Sequence, residues 1–183
     1  MTFKRIYLLA IFSYLLIASL FHQSYASINE DLPQGEILIK CVYSNEFLCE
    51  LKDEDSLIGA RKTISKESAF IIEKKEEGNA IKNVSTGNYL YSYAPYGNQS
   101  EDKLSFNFNS IFGRQAITTN NYFDIIKKDK GYLIKRIKQS DYIFIGPNMP
   151  VQAYWGERKY VIANNSIHDT SYFTFIPYNF DLN

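Results

Sequence analysis

The chain has 183 residues, of which 45% are hydrophobic and 16% aromatic, and its 20 basic and 20 acidic side chains give a formal net charge of 0. This composition is typical of a folded protein with a buried core. Because the sequence has no excess or stripe of basic residues, it argues against a nucleic acid as partner.

The N-terminal segment has the layout of a secretory signal peptide. Lys4 and Arg5 precede an apolar run over residues 6–21, and the polar stretch that follows ends at Ala26, a small residue that suits signal peptidase. We therefore predict a signal peptide over residues 1–26, cleaved after Ala26. A single uncleaved membrane anchor is the alternative, because the apolar run approaches the length that spans a bilayer.

Cleavage would leave residues 27–183, which is the length of one ordinary domain. The loss of Lys4 and Arg5 would change the formal charge from 0 to −2. No second apolar run follows in the sequence. We therefore predict a secreted, extracellular protein whose mature chain does not span a membrane.

Cys41 and Cys49 are the only cysteines, and His168 is the only histidine after residue 26. Two cysteines in an oxidising compartment usually form a disulfide, whereas a metal site would need more ligands. A Cys41–Cys49 bridge is therefore the prediction, closing a hairpin turn centred on Asn45.

Three Asn-x-Ser sequons are candidate glycosylation sites if the protein comes from a eukaryotic cell. They begin at Asn83, Asn98 and Asn164. Chance matches are the alternative interpretation, because the chain is rich in asparagine and serine.

An internal repeat organises the rest of the chain. Residues 39–49, 81–91 and 134–144 align without a gap, and each reads Ile-Lys-x-(Val/Ile), four turn-like residues, an aromatic, an aliphatic and a third apolar residue. Apolar positions that alternate around a polar turn predict a β-hairpin with one buried face. The chain should therefore contain three related hairpins.

A second pattern keeps the same spacing. Phe70 and Phe123 each lie 11 residues before the isoleucine that opens the next hairpin, and Phe173 belongs to the same pattern near the C-terminus. Gly78 and Gly131 follow these first two phenylalanines by 8 residues, where a turn between units is expected.

An arginine also recurs. Arg61 and Arg114 each lie 9 residues before their phenylalanine. In the third unit the corresponding arginine, Arg158, lies further upstream, which predicts a slip in register there.

These patterns resemble the β-trefoil superfamily, and residues 81–91 look like the first hairpin of its lectin-like and fascin-like units. The resemblance covers about Ile28 to Tyr178 and implies an all-β fold of three four-stranded repeats, forming a closed barrel with a hairpin cap. In ricin-B-type lectins each unit carries a sugar-holding aspartate and a Gln-x-Trp motif. At the aspartate position this chain has Cys49, Tyr91 and Phe144. Neither motif is retained.

The residues offer little for catalysis. A Ser-His-acid triad would have to use His168, which lies in a polar, turn-like stretch where a solvated histidine is the simpler interpretation. The sequence has no glycine-rich phosphate loop. We therefore predict a non-enzymatic protein that needs no cofactor or metal.

Two aromatic clusters are candidate ligand-binding surfaces, because flat rings beside polar side chains suit sugars and also suit protein hot spots. The candidate residues are Tyr93, Tyr96, Asn98, Tyr154, Trp155, Glu157 and Arg158. The predicted partner is a glycan or an extracellular protein. The first hypothesis is recognition of carbohydrate or glycoprotein, and the alternative is a protein-binding trefoil such as a protease inhibitor or a cytokine-like ligand.

Overall fold

The computed structural model describes residues 32–51, 56–93, 109–146, 149–150 and 157–178. These residues form antiparallel β-structure with three short 3-10 helices, Lys66–Ser68, Thr119–Asn121 and Asp169–Ser171. The strands are β1 (Glu36–Cys41), β2 (Phe47–Leu51), β3 (Leu57–Arg61), β4 (Ala69–Lys75), β5 (Gly78–Asn83), β6 (Tyr89–Tyr93), β7 (Asn109–Arg114), β8 (Tyr122–Lys128), β9 (Gly131–Arg136), β10 (Tyr142–Ile145), β11 (Met149–Pro150), β12 (Glu157–Asn164) and β13 (Phe173–Pro177). In the described part of the chain no helix is both long and apolar enough to cross a membrane. The predicted signal peptide lies outside these residues.

Six strands are hydrogen-bonded in a ring. β1 pairs with β4, β4 with β5, β5 with β8, β8 with β9, β9 with β13, and β13 with β1. The other long strands form the hairpins β2–β3, β6–β7 and β10–β12. These hairpins also pair with one another, through β3–β7, β3–β12 and β7–β12. Most strands are therefore paired on both edges.

The turn predicted from the repeated segments occurs three times with one geometry, between β1 and β2, between β5 and β6, and between β9 and β10. The flanking pairs are Lys40–Phe47, Lys82–Tyr89 and Lys135–Tyr142. At the last turn position the backbone is left-handed each time, with φ of 58° at Asn45, 74° at Gly87 and 57° at Ser140. Asparagine and glycine accept this conformation readily, whereas serine does so less often.

The aromatic pattern forms the centre of the core. Phe70, Phe123 and Phe173 have no exposed surface, and all three belong to one apolar cluster. The isoleucines that open the three repeated segments, Ile39, Ile81 and Ile134, are in the same cluster. Both sequence patterns therefore mark the buried face of the strands.

The conserved spacing of Gly78 and Gly131 has a steric cause. Their φ angles are 141° and 136°, a region open almost only to glycine. A Cβ atom on Gly131 would lie 2.7 Å from the Phe173 carbonyl oxygen, and one on Gly78 would lie 2.3 Å from Ile137 Cδ1. The turns between units therefore need glycine for both backbone angle and space.

The third repeat does not slip in register. Arg61 lies opposite Phe47 and Arg114 opposite Tyr89, and the equivalent partner of Tyr142 is Asn164. Arg158 lies opposite Met149, near the start of β12. The alignment of Arg158 with the other two arginines was therefore wrong, because β12 is longer than β3 and β7.

The predicted disulfide is also wrong. The Cys41 amide donates to the Glu46 carbonyl at 2.8 Å, so Glu46 is the residue opposite Cys41. Cys49 lies three residues further along β2, about 10 Å away at the rise of a strand, which is too far for a bridge. Cys41 belongs to the main core, whereas Cys49 packs in a second apolar cluster with Phe144 and Tyr160. Both cysteines are thiols.

Glycosylation of Asn83 is incompatible with this fold. Its side chain has no exposed surface, and its Nδ2 donates to the Glu67 carbonyl at 2.7 Å. Its Oδ1 accepts from the amides of Ser85 and Thr86. The side-chain nitrogen that would carry a glycan is therefore buried and hydrogen-bonded to the first 3-10 helix. Asn164 is half-buried and stays a predicted site, and Asn98 lies outside the described residues.

Buried polar contacts join neighbouring hairpins. Glu50 of the first hairpin accepts from Thr86 Oγ1 and, at 2.5 Å, from Asn88 Nδ2 of the second repeat. Between the third and first repeats, Lys159 Nζ lies 2.9 Å from Glu46 Oε1. The first and second repeats are thus joined by hydrogen bonds to a carboxylate, and the third and first by an ion pair.

The junction of the second and third repeats uses a buried ion pair. Arg136 and Asp141 are 1% and 2% exposed. The Arg136 guanidinium donates to both carboxylate oxygens of Asp141 and to Ser92 Oγ. A bidentate pair of this kind satisfies both charges in a site without solvent.

Both thiols should react only in the unfolded protein, because Cys41 and Cys49 are 0% and 1% exposed. Iodoacetamide without reductant should add two carbamidomethyl groups in denaturant and none under native conditions, as measured by intact mass. A denatured chain that takes up no label would show that the cysteines are bridged after all.

Removing one member of the buried pair should be costly. Arg136→Met leaves the Asp141 carboxylate buried without its cation, and the free energy of unfolding should fall by about 3–5 kcal/mol. Replacing both residues, in Arg136→Met with Asp141→Leu, should cost less, because no charge stays buried. Urea denaturation of the three proteins measures this, and equal losses in the single and double variants would refute the argument.

Candidate functional site

The ligand-binding residues predicted from sequence fall mostly outside the described part of the chain. Tyr96, Asn98, Tyr154 and Trp155 are not among the described residues. The other three lie in strands and are described by their backbone pairing only: Tyr93 is opposite Ser110, Glu157 opposite Pro150, and Arg158 opposite Met149.

A different polar surface lies in the second repeat. We use the name second-repeat groove for a set of six side chains that contact one another in pairs: Tyr91, Arg114, Thr119, Asn120, Lys138 and Gln139. Tyr91 is contributed by β6, Arg114 by the end of β7, and Thr119 and Asn120 by the 3-10 helix before β8. Lys138 and Gln139 come from the turn between β9 and β10.

The 3-10 helix is fixed by two side chains. The Thr118 amide donates to Asn121 Oδ1 at 2.7 Å, and Thr118 Oγ1 accepts from the Asn120 amide at 3.3 Å. Asn121 is wholly buried, and its Nδ2 donates to the Leu90 carbonyl at 2.8 Å. This last bond ties the helix to β6 and so places Asn120 beside Tyr91.

Direct contacts connect the groove residues. The Arg114 guanidinium carbon lies 4.9 Å from the centre of the Tyr91 ring, in cation–π geometry. Asn120 Nδ2 donates to Tyr91 Oη at 3.5 Å, and Asn120 Oδ1 accepts from Gln139 Nε2 at 3.4 Å. Lys138 Nζ donates to Thr119 Oγ1 at 3.5 Å. The groove therefore combines an aromatic platform with two cations and two amides.

The electrostatic character of the groove is positive. Arg114 and Lys138 are exposed, and within the described ranges neither makes an ion pair with an acidic side chain. Asp141, in the same turn as Lys138, is occupied by Arg136. The 3-10 helix of this repeat has no acidic residue in its first turn.

The equivalent places in the other repeats differ. In the first repeat, Arg61 is present, but Cys49 replaces the tyrosine and Glu67 lies in the 3-10 helix. In the third, the His168 ring lies 4.3 Å from the Phe144 ring and its Nε2 lies 3.0 Å from Asn164 Nδ2. The groove chemistry thus belongs to the second repeat among the described residues.

His168 shows none of the geometry of a catalytic base. Its backbone amide donates to Ser171 Oγ at 3.0 Å, as the residue that precedes the third 3-10 helix. Its ring packs on Phe144 and contacts Asn164, an amide. No group of three or more metal-ligating side chains is found over the residues that the structure describes.

The groove could be anticipated only in part from sequence. The recurrence of Arg61 and Arg114 was a signal, since an exposed residue at the same place in two repeats needs an explanation. The contribution of Lys138 and Gln139 had no such signal, because they come from a different repeat and reach the groove only through the pairing of the hairpins.

A second polar cluster lies outside the groove, on β4, β5 and β6. Glu73 Oε2 lies 2.8 Å from Lys75 Nζ and accepts from Tyr89 Oη at 3.1 Å. The hydrogen bond from Lys75 is the main cause that lowers the pKa of the Glu73 carboxyl below its ordinary value of 4.5, and burial opposes it. Lys82 Nζ covers the Tyr89 ring at 5.4 Å.

The lowered pKa of Glu73 predicts a small pH-dependent stabilisation. A carboxyl whose pKa is lower in the folded state stabilises the protein above its unfolded pKa, near 4.5, and this stabilisation is lost as the pH falls through the folded value. Glu73→Gln should therefore lower the free energy of unfolding at pH 7 by at most about 1 kcal/mol, and by less at pH 3. Urea denaturation at both pH values is the measurement. The matched control is Glu76→Gln in the exposed β4–β5 turn, and an equal pH effect in both variants would contradict the assignment.

No family model matches the chain, and no curated protein matches it in sequence. Solved structures do match. The chain superposes on the agglutinin of Rhizoctonia solani with a TM-score of 0.58 and 19% identity, over 80% of this chain and 96% of that one. It superposes on the BEL β-trefoil with a TM-score of 0.57 and 14% identity, over 81% and 98% of the two chains. The chain has the β-trefoil fold.

A third match is part of an enzyme. An endo-β-galactosidase from Clostridium perfringens that releases GlcNAcα1-4Gal aligns with a TM-score of 0.58 and 17% identity. The match covers 82% of this chain but 34% of that one. At these identities the likeness establishes the fold alone, and the trefoil expectation drawn from the repeats is confirmed.

Proposed function

We propose that this protein is a secreted, non-enzymatic β-trefoil that binds carbohydrate, either free or on a glycoprotein. The observation that carries the proposal is the second-repeat groove, in which Arg114 lies 4.9 Å from the Tyr91 ring centre beside the amide of Asn120. A cation held on a buried ring and edged by hydrogen-bonding side chains offers a small number of fixed polar groups to a ligand. The agglutinin and the endo-β-galactosidase among the similar structures support this class of ligand.

The proposal includes the scaffold. The ring of six paired strands supports a closed barrel, and the three hairpins that pair with one another support a cap over one of its ends. Three four-stranded repeats would account for both. The extra strand, β11, pairs only with β12 among the described residues.

The aromatic segments predicted from sequence remain part of the proposal. Tyr93, two residues beyond Tyr91 along β6, stays a proposed ligand contact. Tyr96, Asn98, Tyr154 and Trp155 stay proposed ligand contacts. Secretion rests on the signal-peptide pattern of residues 1–26.

A glycan array tests the proposal. Purified residues 27–183 should be retained by at least one class of immobilised oligosaccharide, and Trp155→Ala or Asn120→Ala should reduce retention by about tenfold, the effect of losing roughly 1.4 kcal/mol. Near-ultraviolet circular dichroism of the variants checks that the fold is intact.

The matched control for Asn120→Ala is Asn165→Ala, an exposed amide in the third repeat outside the groove. Its retention should equal that of the unmodified protein. Absence of retention on every oligosaccharide would refute carbohydrate binding, and inhibition of a protease in a parallel panel would favour the protein-binding alternative.

A further inference from the structure

We infer that the second-repeat groove binds an acidic sugar residue, one that carries a carboxylate or a sulfate ester, with Arg114 as the principal contact. This inference rests on the proposed function and adds the chemical class of the ligand. It depends on four observations: the geometry of Arg114, the second cation, the supply of donors and acceptors, and the contrast with the other two repeats.

The guanidinium of Arg114 is held in place and remains available. The Tyr91 ring covers one side of the guanidinium at 4.9 Å, and Tyr91 itself is only 8% exposed, so the platform is fixed in the fold. The N–H donors of a guanidinium point outward in its plane, so stacking does not consume them. An exposed, stacked arginine is arranged to donate two parallel hydrogen bonds to a planar anion.

A second cation reinforces the same sign of charge. Lys138 Nζ is hydrogen-bonded to Thr119 Oγ1, next to Asn120, which contacts Tyr91. The groove residues therefore carry two positive charges and no negative one. Exposed cations gathered on one surface raise the local concentration of anions, so an anion should be attracted to this place.

The supply of donors and acceptors also favours an anion. Arginine and lysine can donate hydrogen bonds but cannot accept them. None of the six groove residues is an aspartate or glutamate, whose ionised side chains act only as hydrogen-bond acceptors. A carboxylate or sulfate, which is negatively charged and accepts hydrogen bonds, therefore complements Arg114 and Lys138 better than a neutral hydroxyl does.

The other repeats lack this combination. The first has Arg61 without an aromatic ring at Cys49, and Glu67 lies close by in its 3-10 helix. The third has Asn164 in place of the arginine, and Asp169 is in its 3-10 helix. The acidic-sugar site is therefore assigned to the second repeat, and Arg61 provides a matched control for Arg114.

Calorimetry with matched oligosaccharides tests the inference. The probes are an oligosaccharide ending in glucuronic acid, the same molecule with its carboxyl as the neutral methyl ester, and a galactoside with and without a sulfate ester. The unmodified protein should bind at least one acidic form at least tenfold more tightly than its neutral partner. The two pairs show which anionic group is preferred.

Arg114→Gln should remove the preference for the acidic form, whereas Arg61→Gln, which removes the same charge from the equivalent place, should leave it intact. Arg114→Lys should restore only part of it, because an ammonium keeps the charge but loses the planar fork. Thermal melting of the three variants confirms that each is folded.

The outcomes separate the two proposals. Equal binding of acidic and neutral forms, or a preference that survives in Arg114→Gln, would overturn the acidic-sugar site while carbohydrate binding stands. Equal loss in Arg61→Gln and Arg114→Gln would also overturn it, since the effect would then reflect net charge alone. Binding to none of the probes, together with no retention on the array, would refute both.

Discussion

Three phenylalanines packed against three isoleucines hold this trefoil together. Phe70, Phe123 and Phe173 come from equivalent strands, and Ile39, Ile81 and Ile134 lie in the partner strands, all without exposed surface. Each side chain of this size contributes about 1.5–3 kcal/mol when it is fully removed from water. Because every strand alternates its faces, burying this set fixes the register of the six-strand ring, and a shift of one residue would expose the whole set. The hairpins and turns can differ only within that constraint.

The backbone is more symmetric than the side chains. The residues that follow Ile-Lys in the three hairpins are Cys41, Asn83 and Arg136, and all three are buried. Cys41 Sγ lies 3.8 Å from the Thr170 carbonyl, Asn83 closes its own turn, and Arg136 forms an ion pair with Asp141. One backbone position is thus satisfied by three kinds of chemistry. Each of these buried side chains has a hydrogen-bonding partner of its own, so repeats can diverge without changing the fold.

The same divergence explains why one repeat offers a groove and the others do not. All three have a 3-10 helix before the phenylalanine strand, with a buried residue at its end: Ser68, Asn121 and Ser171. In every repeat this helix contacts the equivalent strand, β2, β6 or β10, and in the second repeat Asn121 Nδ2 also donates to the Leu90 carbonyl of β6. Tyr91 and Arg114 then supply the ring and the cation.

The sequence by itself determined the repeat, the buried faces, the turn positions and hence the fold, because each depends on contacts repeated at a fixed spacing. It misplaced three features that depend on a partner strand. The prediction of a Cys41–Cys49 bridge assumed a hairpin turn centred on Asn45. Lys40 in fact pairs with Phe47, and the two thiols lie in different apolar clusters. Asn83 matched a glycosylation motif that cannot show burial. The match of Arg158 to Arg61 and Arg114 failed because β12 extends further than its counterparts. Only the tertiary structure brought Lys138 and Gln139 of the third repeat to Thr119 and Asn120 of the second, since these contacts between repeats are set by packing and left no signal in the sequence.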